Sequence, residues 1–457
     1  MHPLLDILFS MSLKKEQPKD TKVPVVPFQS PKGMHDILPT EQYFWERVRD
    51  AVRSVADSYH FTRIDTTLLE NERLFEASLG ASSDVVERQM FTLRTKGDDA
   101  LVLRPEGTAS VARSYIQHGL SQLPKPLKLY YIGPMFRYEQ PQAGRFRQFH
   151  QAGFEILGGD DDPIYDAQII LVTCRLMELL KLKKLIVKLN SIGCKTCRPM
   201  YRKKLVDFYK NRTAKTSDLC KDCERRLASN PLRLLDCKNP SCIEIRKDAP
   251  ISLNSICSYC KAHFKGVLEY LDELKLPYTL DHYLVRGLDY YNRTVFEVFL
   301  DPEAVRVPGE IVPDVALAGG GRYDYLIPML GGRDTPAVGA AVGLERLVDV
   351  VKTLAGPQTP HLSAQLFLIH IGELAKKKSL SIIETLRRDG IDVAESLGKE
   401  SLKAQLRVAD KSRVPYALIF GQKEALEEAI IIRDLQTGAQ ETVPLTHIVH
   451  ELKRRLK

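Results

Sequence analysis

Apolar residues at Val48, Ala51, Val52, Val55 and Tyr59 recur at three- and four-residue spacing behind Thr40, which predicts an amphipathic helix with Thr40 as its cap. Residues 101–104 read as a short strand and residues 108–117 as a helix closed by Gly119. Two strand-like runs, 127–139 and 147–157, flank a polar loop at 140–146 and predict an antiparallel hairpin. Residues 185–275 are rich in lysine and helix formers and break the strand pattern, which resumes at Tyr283 and at 294–300. This reads as a mostly helical domain, 185–275, inserted between two parts of a core, 31–184 and 276–355. A glycine-dense segment at 318–324 precedes a strand at 337–342 that runs into a helix at 344–354. Beyond a Gly/Pro linker at 356–363, apolar runs at 366–371, 391–393 and 416–420 alternate with helical stretches, so residues 364–457 read as a compact α/β domain. No internal repeat is found.

The 457 residues, 44% hydrophobic and 27% charged, describe an ordinary globular protein of about three domains. A single small binding module, a collagen-like chain and a largely disordered chain are excluded. The longest apolar runs, at 366–369 and 416–420, fall far short of the ~20 residues of a membrane span, so no membrane partner is expected. A net charge of +8 is compatible with a polyanionic partner and does not by itself require one. Residues 1–30 place an apolar patch ahead of lysines, the reverse of a secretory signal, and lack the arginines of a mitochondrial presequence. They read as a disordered extension on a cytoplasmic protein, with Met11 as an alternative start.

Eight of the nine cysteines fall within residues 194–260: Cys194, Cys197, Cys220, Cys223, Cys237, Cys242, Cys257 and Cys260. C-x-x-C pairs in a long cytosolic chain point to a closed tetrahedral thiolate site for zinc, with reduced, partly buried thiols as the alternative. A redox pair is disfavoured because no thioredoxin-like β-α-β pattern surrounds them.

Side-chain alternation puts Gln151, Gly153 and Glu155 on one face of their strand and Arg137 and Glu139 on a common face of its partner. The hairpin then offers Arg137, Gln151 and Glu155 to one ligand, or else is a solvated sheet face; Gly153 favours close approach of a ligand or backbone. Glu106, Gly107 and Thr108 stand at a strand-to-helix turn, where Glu106 either caps the helix or binds a ligand. Arg286 precedes the paired Tyr290 and Tyr291 with no packing reason to be there. Arg346 falls in the first turn of a helix, where the macrodipole disfavours a cation unless an anion is supplied. Arginines on three separate motifs suggest a polyphosphate. Neither G-x-x-x-x-G-K-[ST] nor G-x-G-x-x-G occurs, which removes the usual phosphate-loop and dinucleotide readings.

In order, these motifs resemble those of the class II aminoacyl-tRNA synthetases, and within them the histidyl-tRNA synthetase family of the bacterial type, from about Lys32 to Lys457. Residues 32–39 with the following helix are similar to the first class motif, which forms the dimer interface in the family. Residues 136–155 match the second and residues 343–346 the third. Residues 286–291 and 318–324 resemble the two histidine-specific signatures. The resemblance implies an α+β catalytic core built on an antiparallel sheet, a mostly helical insertion and a C-terminal anticodon-binding α/β domain. It also implies a homodimer that activates L-histidine with ATP and magnesium and transfers it to histidine tRNA.

Carried over by residue, Glu106, Gly107, Thr108 and Gln151 would receive the substrate ammonium, and Glu155, Tyr290 and Tyr291 would line the imidazole pocket. Arg137 and Arg286 would face the α-phosphate as catalytic cations, with Glu139 and Arg346 completing the ATP site. Gln142 would meet the tRNA acceptor end; many relatives carry arginine where this chain has Gln140. Two rival readings are weighed. A histidine-sensing regulatory paralogue would lack the last domain and degrade the 286–291 motif, and a synthetase for proline, threonine or glycine would lack Arg286 and the tyrosine pair.

Overall fold

The computed structural model describes residues 28–80, 83–142, 144–212, 219–301, 316–356, 364–398 and 401–456. Most of the extension expected at 1–30, and all of the linker expected at 356–363 except Gly356, lie outside them. The chain divides into two compact units, Met1–Gly356 and Pro357–Lys457.

In chain order the strands of the first unit are β1 (Thr62–Arg63), β2 (Leu69–Asn71), β3 (Phe91–Arg94), β4 (Ala100–Leu103), β5 (Leu127–Phe136), β6 (Gln148–Leu157), β7 (Leu185–Ser191), β8 (Tyr278–Leu280), β9 (Asn292–Leu300), β10 (Ala318–Arg322) and β11 (Ala337–Gly343). Eight of them form one sheet in the order β1-β5-β6-β11-β10-β9-β7-β8, and β2-β4-β3 form a small second sheet. The large sheet is antiparallel from β5 through to β7, with a parallel strand added at each edge.

Strict alternation gives this sheet two unlike faces. On one, Tyr130, Ala152, Phe154, Ile156, Val298 and Val342 are buried in a core cluster shared with helices Pro39–Ser58, Ile164–Leu179 and Leu344–Ala355. The other face carries Gln151, Gly153, Glu155, Glu297, Gly319, Gly321, Gly339 and Ala341, which are registered side by side across β6, β11, β10 and β9. Beneath the far strands a buried ion cluster fixes the sheet. Arg322 is bonded to Asp166 at 3.0 Å and to Asp324 at 3.1 Å, and Asn292 donates to Asp324 at 2.7 Å.

The hairpin, the helix at Thr108–Gln117 and the helix from Leu344 are as expected. Thr40 is not the cap of the first helix: the helix begins at Pro39, with Leu38 before it and no side-chain cap, because proline fills a first-turn position that needs no N–H partner. The strand expected from Tyr283 is absent; residues 281–291 turn and coil, and the pairing segment is β8. β7, inside the stretch first assigned to the insertion, is a full member of the large sheet. The cysteine-bearing helices therefore leave the sheet after Ser191 and rejoin it at Tyr278.

The second unit has strands β12 (Leu366–His370), β13 (Val393–Glu395), β14 (Tyr416–Phe420), β15 (Ala429–Asp434) and β16 (Gln440–Pro444) in the order β13-β12-β14-β15-β16. β13, β12 and β14 are parallel and the rest antiparallel. The final hairpin was not anticipated.

Candidate active site

The polar face of the large sheet can seat large polar side chains close against it because so many of its own positions lack one. A Cβ on Gly339 would fall on the Glu155 carboxylate, and one on Gly319 would meet the Arg286 guanidinium. A Cβ on either Gly107 or Gly153 would fall on the ring of Tyr131, which lies across both. Gly153 therefore marks a close approach, as expected of a glycine within a strand, and what approaches is an aromatic ring of the neighbouring strand.

Glu155 is fully buried at the centre. It accepts from Thr108 Oγ1 at 2.7 Å and from the Tyr323 hydroxyl at 2.5 Å. Burial, helped by the nearby Glu106 carboxylate, pushes its pKa up to about 8 against the lowering pull of those two donors. Glu106 accepts from the backbone N–H groups of Thr108 and Ala109, both at 2.7 Å, so it caps the helix in this state. It also receives a long bond, 3.4 Å, from the Tyr290 hydroxyl, and burial raises its pKa as well. Tyr131, Tyr290, Tyr291 and Tyr323 surround the two acids, and burial holds all four phenols above their ordinary pKa. Tyr290 packs against Tyr291 and Tyr323 with ring centroids 4.6 and 5.7 Å apart. Gln151 Oε1 is buried here without a partner. Two buried carboxyls beside polar atoms without partners, Gln151 Oε1 and the Tyr131 hydroxyl, favour a positively charged or N–H-rich guest.

The cations stand along one side. Arg286 is ion-paired to Glu297, its guanidinium lies 5.7 Å from the Tyr291 ring centre, and its Nε has no partner. Arg137 and Glu139 lie just past the end of β5, held by the bond from Arg137 N to Arg147 O at 2.9 Å. Arg137 donates to Pro105 O at 2.9 Å and sits 3.9 Å from Glu139. Arg346 donates to the carbonyls of Gly144 and Ala316 at 3.2 and 2.5 Å. Its pKa is lowered first by burial, and Arg145 and Arg137 lower it further while Glu139 and Glu297 pull the other way. The three expected arginines thus converge on one region. The helix that carries Arg346 is tied to β6 through Glu345, which accepts from His150 N at 2.8 Å. Gln142 is at the exposed tip of the 140–147 loop, paired with Arg145 in a tight turn.

Residue-type reasoning passed over Tyr131, Tyr323, Glu297 and Gly339. Tyr323 and Gly339 lie inside motifs that were singled out, but nothing in a linear pattern says that they touch Glu155. The eight cysteines gather into two groups of four, Cys194, Cys197, Cys257 and Cys260, and Cys220, Cys223, Cys237 and Cys242.

The family model "Histidyl-tRNA synthetase" matches residues 33–347, and an "Anticodon binding domain" model matches residues 365–455. The chain belongs to the histidyl-tRNA synthetase family. It is 42% identical over 429 residues to a histidine–tRNA ligase of Desulfitobacterium hafniense, covering 94% of this chain and 98% of that one. It is 41% identical to one of Dehalococcoides mccartyi, covering 94% and 100%. Its fold is similar to the apo histidyl-tRNA synthetase of S. aureus, with a TM-score of 0.75 and 31% identity over 93% of this chain and 100% of that one. The expected fold class is that of the family, a large-sheet core with helices and a separate C-terminal α/β unit. Among the described residues no helix is long and apolar enough to cross a membrane.

Proposed function

We infer that the chain is an ATP-dependent histidine–tRNA ligase, which joins L-histidine to ATP as histidyl-adenylate with release of pyrophosphate and then passes histidine to the 3′ end of histidine tRNA. The observation that carries this reading is the pair of buried carboxyls, Glu106 and Glu155, in a glycine-floored pocket beside Arg286. Histidine supplies what that pocket lacks, an ammonium and an imidazole N–H. Glu106, Thr108 and Gln151 take the ammonium at the backbone of Gly107, and Glu155, Tyr290 and Tyr291 take the ring.

The substrate carboxylate attacks the α-phosphorus, and the bond to the pyrophosphate oxygen breaks. Arg137 and Arg286 neutralise the charge that gathers on the phosphoryl oxygens, with Glu139 and Arg346 holding the rest of ATP. Arg286 is suited to this because Glu297 aims its guanidinium while leaving Nε free. Magnesium suits the same region, where Glu139 and Glu297 offer the oxygen donors a hard cation prefers; when bound it offsets charge on the outer phosphates. Gln142, which is exposed, meets the acceptor end, and the C-terminal unit, which matches an anticodon-binding domain over residues 365–455, reads the anticodon. The protein works as a cytoplasmic homodimer joined through residues 32–39 and the helix that follows, and structural zinc belongs to the cysteine-bearing insertion.

ATP–pyrophosphate exchange, assayed with each amino acid in turn, tests the reading: exchange should depend on histidine alone. Exchange with another amino acid, or binding of histidine without exchange, would replace it by another synthetase or a sensor.

A further inference from the structure

Outside the pocket, chemistry-bearing side chains concentrate in the insertion. The sulfurs of each four-cysteine group all lie within 4.8 Å of one another. A tetrahedral thiolate site with metal–sulfur bonds of about 2.3 Å has edges of about 3.8 Å. The separations are 3.7 Å for Cys194 and Cys197, 3.9 Å for Cys197 and Cys260, and 3.8 Å for Cys220 and Cys237. These three match the edge of such a site and are far longer than the ~2.05 Å of a disulfide. Backbone N–H groups also point at the sulfurs, from Cys194 to Cys197 and from Cys220 to Cys242 at 3.3 Å, and from Asn239 to Cys237 at 3.4 Å. Such donors stabilise thiolates.

We propose that each group holds one zinc ion, two per chain, and that the inner ion positions the Arg286–Tyr291 loop. The groups are nested. The outer one joins the entry of the insertion at Cys194 and Cys197 to its last helix at Cys257 and Cys260; the inner one closes a smaller loop between them. The surrounding segments need such ties. Helix Lys221–Ser229 buries a single residue, Cys223, and helix Pro240–Arg246 buries only Cys242. Helices this short are marginal in isolation, and beyond its cysteine each adds only one partly buried aliphatic residue, Leu227 or Ile245, to the core it packs on.

The inner group is also next to the segment that meets the loop. Within and just after helix Lys221–Ser229, Arg226 and Arg233 hold Asp84 at 2.6 and 3.0 Å. Asn230 donates to Asp289 at 2.7 Å, and the Arg233 guanidinium occupies the space beside Gly287. These contacts reach the loop between Arg286 and Tyr291 at Gly287 and Asp289. The positioning role rests on the reading of that loop as part of the histidine site, whereas the metal assignment does not.

Elemental analysis of full-length protein, purified without added metal and dialysed, should find two zinc ions per chain. Cys220→Ser/Cys223→Ser and Cys257→Ser/Cys260→Ser should each retain one. Less than ~0.2 zinc per native chain, with the eight cysteines of the two groups titrating as free thiols, would overturn the proposal, since a tight structural site keeps its metal. Loss of both ions from either double variant would overturn the separate pairing. Asn230→Ala touches no sulfur and should keep both ions while raising the KM for histidine roughly tenfold, as small misplacements do, with the KM for ATP little changed. An unaltered KM for histidine in that variant would overturn the positioning role. Absence of histidine-dependent exchange in native protein that holds two zinc ions would strike the proposed function and leave the metal sites standing.

Discussion

The pocket face of the large sheet and the cysteine-bearing insertion solve opposite problems. The sheet has a deep apolar core on its other side, where Phe154, Ile156 and Val298 pack against three long helices. That support lets its pocket face keep costly features: two raised carboxyls, a buried Gln151 oxygen without a partner, and glycines where strands would ordinarily hold side chains. The insertion sets short helices, one of which fully buries nothing but a cysteine along nine residues, between two long ones, Arg198–Arg212 and Ser258–Glu273. Its polar surface is organised by sulfur groups and by Asp84 with its arginines. A site that stores unsatisfied groups requires a large core behind it; the insertion shares part of a core through Tyr201, Leu205, Tyr209, Leu234 and Leu235 and adds point contacts at its short helices.

This contrast is tested most severely at Arg286, where the insertion-braced loop meets the sheet. Arg286→Ala should slow histidyl-adenylate formation by roughly 10²–10³ in single-turnover quench measurements with little loss of ATP affinity. Arg286→Lys should recover little, because a point charge on a flexible stem cannot replace a planar fork. A lysine variant with near-native adenylation would reduce Arg286 to a packing residue. The next effect belongs to the insertion. Treatment with a strong chelator should speed hydrogen exchange in residues 194–260 by at least roughly tenfold while β5, β6 and β11 keep their protection. Uniform loss across both regions would show that they do not differ in what holds them.

Within the sheet, Gly339→Ala should lower stability by about 1–3 kcal/mol, read from denaturant midpoints, because the new methyl and the Glu155 carboxylate claim the same space. A neutral outcome would mean that the pocket floor yields. The smallest effect is one of pH. Since burial pushes Glu155 up to about 8 from an ordinary 4.5, the folded protein holds a proton there that the unfolded chain releases. Its contribution is complete below about 4.5 and is lost as pH rises through about 8. Between about pH 5 and about pH 8 the native Tm should therefore fall further than that of Glu155→Gln, by about 2–4 °C. Parallel slopes would place the ionised carboxylate in the empty pocket.

Much of the site was readable along the chain. The common face of Gln151, Gly153 and Glu155 follows from strand alternation alone, and β6 realises it. The anomaly of Arg346 in a first helical turn pointed to the cation cluster it joins, although two backbone carbonyls hold it in place. Of the two readings of Glu106 the structure shows the cap: its carboxylate accepts from the first N–H groups of its helix, and the Tyr290 hydroxyl reaches the same group. Tyr131 escaped notice because its hydroxyl-bearing ring looks like any core aromatic until β5 is laid against β6.

By itself the sequence determined which residues could carry the chemistry, the hairpin and helices that carry them, and the separate C-terminal α/β unit. These depend on short-range periodicity, turn chemistry and motif order, all of which are local. Only the tertiary structure decided that Tyr323 and Thr108 bond one carboxylate, that Gly339 makes room for it, and that eight cysteines divide into two nested groups. It also decided that β7 belongs to the sheet and not to the arm. Each of those facts joins residues far apart along the chain. Such pairings arise from burial and strand register across the whole sheet, which no local window of sequence contains.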